Sequence, residues 1–163
     1  MKLIIGLGNP GDNYKNNRHN VGHMVIDALA SKIPNSKTQI PNKSKILIFK
    51  SQKFMNESGE FVKRLVEQYH MDSPNLWVIH DDLDIPLGSY KIQRGKGPKL
   101  HNGILSIERE LGSDNFWRVR IGVDNRIGDK TPGEEYVLQD FTEEEREELK
   151  EVINKVAQDI LSL

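Results

Sequence analysis

KLIIGLGNPGDNYKNNRHNVGHMVIDALASK, residues 2–32, decides how this chain folds. Its apolar run Leu3-Ile4-Ile5 stops at Gly6, as a short buried strand does on entering a turn. Helical spacing begins at Val21, continues through Met24, Val25, Ala28 and Leu29, and ends before Pro34. Between them, Gly6-Leu7-Gly8-Asn9-Pro10-Gly11 spells G-x-G-x-x-G. A dinucleotide cradle needs its third glycine to open a helix at once, so that the pyrophosphate meets the helix N-terminus. Here the polar stretch Asp12 to Arg18 intervenes, Pro10-Gly11 is a turn pair, and no acid follows Asp27 before Glu57 to hold a ribose. The glycines therefore predict a turn that presents Asn9, followed by a loop that delivers Arg18-His19-Asn20 to the head of a helix.

The rest of the chain repeats this alternation. Lys45–Lys50 reads as a strand and Ser58–His70 as a helix with Phe61, Leu65, Val66 and Tyr69 on one face. Leu76–Ile79 is a second buried strand, expected to end before His80-Asp81-Asp82-Leu83-Asp84. Ser89–Gln93 is a further strand and Gly95-Lys96-Gly97-Pro98 a loop; Ile104, Leu105, Glu108 and Leu111 are spaced as a helix stopped by Gly112. Phe116–Val123 alternates apolar residues with Arg118 and Arg120, which predicts a half-exposed strand. Thr142 to Glu145 is a capping box that opens an acidic C-terminal helix. Without repeats or a long linker, the pattern predicts one α/β domain over residues 1–163, a central mixed, largely parallel twisted sheet flanked by helices.

At 163 residues the chain can bury one substantial core. Cysteine is absent, which excludes disulfides and thiolate metal sites. No segment approaches the ~20 apolar residues of a membrane helix, and the N-terminal apolar run is too short for a signal peptide, so a cytoplasmic protein without membrane contact is expected. A net charge of −1 hides a segregation. Lys32, Lys37, Lys43, Lys45, Lys50 and Lys53 fall in one acid-free stretch, and Lys91, Arg94, Lys96 and Lys99 in another, while acids crowd the tail from Glu134 to Glu151. On a shared face the basic stretches would attract phosphate; read blandly, they are solvating lysines.

Ligands of open α/β sheets gather outside the carboxyl ends of the strands. Asn9, His19, Asn56, Asp81, His101 and Asn102 all stand next to predicted element ends. They supply an imidazole base, a carboxylate able to orient it, and carboxamides that can both donate to a carbonyl and hold a water. Neither Gly-x-Ser-x-Gly nor a cysteine offers a nucleophile, so water is expected to attack. Blander readings exist: asparagines cap helices, and Asp81, Asp82 and Asp84 could hold a cation. His19 and His23 have metal-pair spacing, but HNVGH lacks the glutamate of H-E-x-x-H, and no metal is expected.

LIIGLGNPGDNYKNNRHNVG (3–22), KFMNESG (53–59), WVIHDDLDIPLG (77–88), HNGILSI (101–107) and FWRVRIGV (116–123), in that order, resemble the bacterial-type peptidyl-tRNA hydrolases, with a weaker echo in Glu135–Leu138. The resemblance implies hydrolysis of the ester between a peptide and the terminal ribose of tRNA, by a cofactor-free and metal-free cytoplasmic monomer that binds the acceptor stem and 3′ end. It implies that His19 is the catalytic base and Asp81 its partner. Substrate or tRNA would be held by Asn9, Tyr14, Met55, Asn56, Lys91, His101, Asn102 and Arg120. The alternative is a catalytically inactive RNA-binding relative of the same fold. Against the family pattern, Lys99 and Leu100 fill two glycine positions before His101, and His23 stands at a usually aromatic position. The hairpin near 35–50 and the C-terminus are both expected to be shortened.

Overall fold

The computed structural model describes residues 1–33 and 46–163, so the part of the expected hairpin before Ile46 lies outside the described residues. Among the described residues five strands, β1 Lys2–Gly6, β2 Ile46–Lys50, β3 Leu76–Pro86, β4 Tyr90–Arg94 and β5 Trp117–Asp124, form one sheet in the order β2-β1-β3-β5-β4. Only β4 runs antiparallel to its neighbour, which gives the mixed, largely parallel sheet that the alternation predicts. Helices α1 Val21–Lys32 and α5 Glu143–Leu161 cover one face, α2 Ser58–Gln68 and α3 Asn102–Leu111 the other, and the short α4 Gly133–Tyr136 follows β5.

Alternation along each central strand assigns the two cores. Ile4, Ile79, Val119 and Ile121 pack against Val25 and Leu29 of α1 and Val152 and Val156 of α5. Leu3, Ile5, Val78 and Phe116 pack against Phe61 and Val62 of α2 and Ile104 and Ile107 of α3. Both faces being covered, the strands read as unbroken apolar runs. Between the central strands Trp77 and Trp117 are register partners, and their rings stack 4.7 Å apart.

The opening glycines act through space rather than through a ligand. A Cβ on Gly6 would strike the backbone of Gly22, and one on Gly22 the backbone of Leu7 and Ile79, so the pair lets α1 lie directly on the ends of β1 and β3. Gly11 takes φ +103° in the turn that follows, and no helix starts there.

Two sequence expectations need correction. β3 does not stop at Ile79 but runs to Pro86, because parallel pairing with β5 continues through Asp81 and Asp82 and resumes at Pro86 after an irregularity. Polar residues that read as a loop are thus held in a ladder. β5 is not half-exposed: both of its arginines are buried. Arg118 extends under α3, where Glu108 pairs with it, the carbonyls of Asp114 and Phe116 accept its protons, and its guanidinium lies 4.2 Å from the Phe116 ring. A buried guanidinium paired in this way through Nη1 and Nη2 breaks the rule that alternating charge marks solvent.

Candidate active site

The β1–α1 loop folds on itself first. Asn20 donates Nδ2 to the Asn9 carbonyl and accepts from the Asn9 N–H through Oδ1, both at 2.9 Å. The Asn9 side chain accepts from the backbone N–H of Met55 at 2.8 Å through Oδ1. With its oxygen so engaged, Asn9 keeps the two protons of Nδ2 to offer the cleft. Asn20, fully buried and absent from the sequence-derived site, is the residue that orients Asn9. Its only sequence signal is its place beside His19.

β3 carries the centre. Asp81 sits in the ladder between β3 and β5, 1% exposed, with each carboxylate oxygen held by a different histidine. His19 Nδ1 is 2.8 Å from Oδ2 and His101 Nε2 is 2.8 Å from Oδ1. His101 is also the N-cap of α3, where its Nδ1 accepts from the N–H groups of Gly103 (3.1 Å) and Ile104 (3.3 Å). An acceptor at Nδ1 forces the proton onto Nε2, aimed at Asp81. Asp81 correspondingly accepts a hydrogen bond from His19 Nδ1–H, which leaves Nε2 of His19 with its lone pair. Burial would raise the Asp81 pKa, but the two imidazoles hold it far below the usual carboxylate range. Burial also opposes charge on His19, yet the adjacent Asp81 carboxylate and their hydrogen bond outweigh it, so His19 titrates above an ordinary histidine.

His80 completes the cluster beneath. It is wholly buried, donates Nδ1–H to the Asp81 carbonyl at 2.7 Å, and meets His101 edge-on at 5.0 Å. Burial and the neighbouring His101 push its pKa down to about 3, so it stays neutral. His19, Asp81 and His101 also place one potential ligand atom each within 4.8 Å of one another, the group among the described residues able to hold a metal ion. Its hydrogen-bond directions suit proton transfer better: both imidazole N–H groups facing Asp81 are spoken for.

Asp82 and Asp84 serve the loop above. Buried Asp82 accepts from Arg120 Nε at 2.7 Å, and Arg120 Nη1 donates to Gln93 at 2.7 Å. Gly97, at φ +62°, lies against that guanidinium where a side chain would not fit. Asp84 accepts the Lys99 N–H at 2.9 Å. The segment Gly95–Leu100 is thereby fastened to β3 and β5.

A cleft of about 740 Å³ has Asn9, His19, Met55, Asn56, Asp81, His101 and Asn102 on its walls, so the sequence-predicted carboxamides, imidazole and carboxylate do converge. Asn56 and Asn102 are exposed, at the heads of α2 and α3. Tyr14 stands beside the cleft, edge-on to Phe54 at 6.1 Å. Lys91 is exposed on β4, opposite Arg120 in register and outside the cleft lining. Sequence reasoning missed the apolar part of the lining: Phe54, Leu83, Leu100, Val137 and Leu138.

The far end of the chain fixes the His19 loop. The N–H of His19 donates to Val137 O at 2.8 Å and that of Arg18 to Gln139 O at 3.1 Å. Arg18 is buried, its guanidinium 3.9 Å from the Tyr136 ring and 2.7 Å from Glu145. Glu145 is also the third helical residue of the α5 capping box, reciprocating with Thr142 as the sequence predicts, and accepts from Asn125.

Comparison with known proteins adds an independent line. A family model described as peptidyl-tRNA hydrolase matches residues 3–163. The chain is 41% identical over 166 residues to the peptidyl-tRNA hydrolase of Bacillus subtilis (strain 168), covering 95% of this chain and 87% of that one. With that of Persephonella marina (strain DSM 14350 / EX-H1) it shares 38% identity over 172 residues, covering 100% of this chain and 90% of the other. Among solved structures, peptidyl-tRNA hydrolase from Acinetobacter baumannii matches with a TM-score of 0.85 at 28% identity, covering 97% of this chain and 85% of that one.

Proposed function

The chain belongs to the peptidyl-tRNA hydrolase family and hydrolyses the ester joining a peptide to tRNA; we propose that it does so with a water activated by His19. The observation that carries this mechanism is the His19–Asp81–His101 arrangement on the cleft wall. His19 Nε2 takes a proton from water, and the resulting hydroxide attacks the ester carbonyl carbon. The carbonyl oxygen becomes an oxyanion, and the bond to the ribose oxygen then breaks. The departing oxygen takes its proton from the His19 imidazolium, which leaves a free tRNA hydroxyl and a peptide carboxylic acid that ionises by losing its proton to solvent. General-base catalysis of this kind contributes ~10²–10⁴-fold.

Asn9 Nδ2, left as a donor by the Met55 N–H, supports the oxyanion, as would Asn56 or Asn102; one such donor is typically worth ~3 kcal/mol. Asp81 fixes the His19 tautomer and stabilises the imidazolium. His101 keeps Asp81 ionised and seated. Exposed Lys91 with Arg94, Lys96 and Lys99 offers phosphate contacts along β4 and the following loop, where the acceptor stem would lie; Arg120, beneath that loop, supports it and can lend its remaining Nη2 to a phosphate. The protein acts in this reading as a monomer in the cytoplasm, where its translational substrate arises.

Release of N-acetyl-amino acid from N-acetyl-aminoacyl-tRNA tests the mechanism. Wild type should release it rapidly, and His19→Ala should lose ~10²–10⁴-fold in kcat while still binding tRNA. Undiminished turnover in that variant would remove His19 from the role.

A further inference from the structure

His19 is gripped at two points, its Nδ1 by Asp81 at 2.8 Å and its backbone N–H by Val137 O at 2.8 Å. The second grip belongs to a ladder. Phe141 N–H donates to Asn16 O at 3.1 Å, Arg18 N–H donates to Gln139 O at 3.1 Å, and Asn17 Nδ2 reaches Asp140 Oδ1 at 2.7 Å. Residues 16–19 thus lie antiparallel along 137–141. The buried Arg18 guanidinium straddles the rung that holds His19. Its Nη1 donates to Tyr136 O at 3.3 Å and to Gln139 O at 3.4 Å, carbonyls before and after Val137 in the chain. Its Nη2 is tied to Glu145 at 2.7 Å, and its Cζ lies 3.9 Å from the centre of the Tyr136 ring. Glu145 in turn accepts from the Thr142 N–H and from Asn125 Nδ2, so the guanidinium is anchored on the first turn of α5.

We propose that Arg18 is a positioning residue for the hydrolysis: with Glu145 it fixes where the 137–139 strip lies, and thereby the distance and angle at which His19 meets Asp81 and the attacking water. The inference rests on the hydrolytic reading above, in which His19 is the base. A buried ion pair is a poor source of stability, because desolvating both charges offsets most of their attraction. What such a pair specifies is a geometry. Here Nη1 holds two carbonyls, Nη2 a carboxylate and the flat face an aromatic ring. Lysine, with one compact ammonium and no plane, cannot reproduce that set. Val137 and Leu138 also line the cleft, so the strip that seats His19 is part of the wall that a substrate meets. Around the Arg18–Glu145 pair stand Tyr136, Arg126 and Asp129, and around His19 stand Asp81 and His101. None of these is altered in the variants that follow.

The test keeps every charge. Arg18→Lys and Glu145→Asp each preserve the charges of the pair but cannot span it. Turnover of N-acetyl-aminoacyl-tRNA is followed across pH, below the unfolding temperature of each variant. Both should lose ~10–10²-fold in kcat, the cost of displacing a reacting group by about 1 Å, with KM within about twofold of wild type. The acid limb of kcat/KM should also move down by ~0.5–1 pH unit, because His19 titrates high through its bond to Asp81 and a loosened bond returns it toward an ordinary histidine. Thr142→Ala supplies the comparison for stability alone. It weakens the α5 cap while Glu145 still holds Arg18, so it should unfold at a lower temperature with the kcat and acid limb of wild type. Wild-type kcat and pH midpoint in the folded charge-keeping variants would overturn the proposal. So would an equal change in Thr142→Ala, since the pair would then act on stability only. If one of the two charge-keeping variants does not fold, the other decides by the same criteria. Failure of wild type to release any N-acetyl-amino acid would instead defeat the hydrolytic reading, and this one with it.

Discussion

His101 caps α3 with the same ring that holds Asp81, and that double duty fixes every proton in the centre. Its consequence can be read at Asp81. In Asp81→Asn the amide oxygen must still face His101 Nε2–H, which turns the amide NH2 toward His19 Nδ1. His19 would then have to accept there and carry its proton on Nε2, where the attacking water needs a base. We expect kcat to fall ~10²–10⁴-fold with KM nearly unchanged, the pattern of a wrong tautomer in an intact site; rates close to wild type would mean that another group sets the tautomer. The pH profile follows from the same pair. Only neutral His19 can accept a proton, and its pKa is raised, so kcat/KM should fall as pH drops through a value above that of a free histidine. Asp81→Asn, by removing the charge that raises it, should move that midpoint down in whatever activity survives.

The elements carry these residues to one place with different degrees of local instruction. β1, α1 and the α5 capping box are legible in sequence because an apolar run, a helical period and a Thr-x-x-Glu pattern are local signals of local structure. β3 is not, beyond Ile79: a strand of His-Asp-Asp persists only because β5 is paired alongside, and nothing local announces that His80 will have Arg120, and Asp82 Gly122, as its partner. Arg118 misleads for a similar reason, its partner Glu108 being supplied by α3. The imidazole, carboxylate and carboxamides of the cleft were legible by residue type and position, whereas Asn20 and the apolar part of the lining have no signature outside their contacts. α5 shows how far such contacts reach. Thr142→Ala removes only a helix cap and should cost about 1 kcal/mol. Glu145→Ala also strands the buried Arg18 guanidinium and should cost about 3–5 kcal/mol. At about 2–4 °C per kcal/mol for a chain of this size, thermal unfolding should separate the two variants clearly; equal losses would mean that Glu145 matters only as a cap.

At the scale of the molecule, a nearly neutral chain places its charge unevenly. Lys91, Arg94, Lys96 and Lys99 lie together along β4 and the fastened loop, while α5 carries exposed Glu143, Glu144, Glu147, Glu148 and Glu151. If those lysines meet phosphates, log(kcat/KM) below saturation should fall linearly with log salt. Lys96→Ala or Lys99→Ala should then each lessen the slope by ~0.7–0.9, the share of one neutralised phosphate. An unaltered slope in both would place the nucleic acid elsewhere. The sheet that unites this surface with the His19–Asp81–His101 cluster also carries the chain's two tryptophans, register partners on β3 and β5 with rings 8° from parallel. Coupled chromophores so close share their excitation, so ultraviolet dichroism and emission come from a single dimeric unit at the middle of the fold. Asp81 lies four residues along the strand from one member and Arg120 three from the other. The native chain thus contains its own optical gauge, without dye or label, of whether the two strands that bear Asp81 and Arg120 are still side by side.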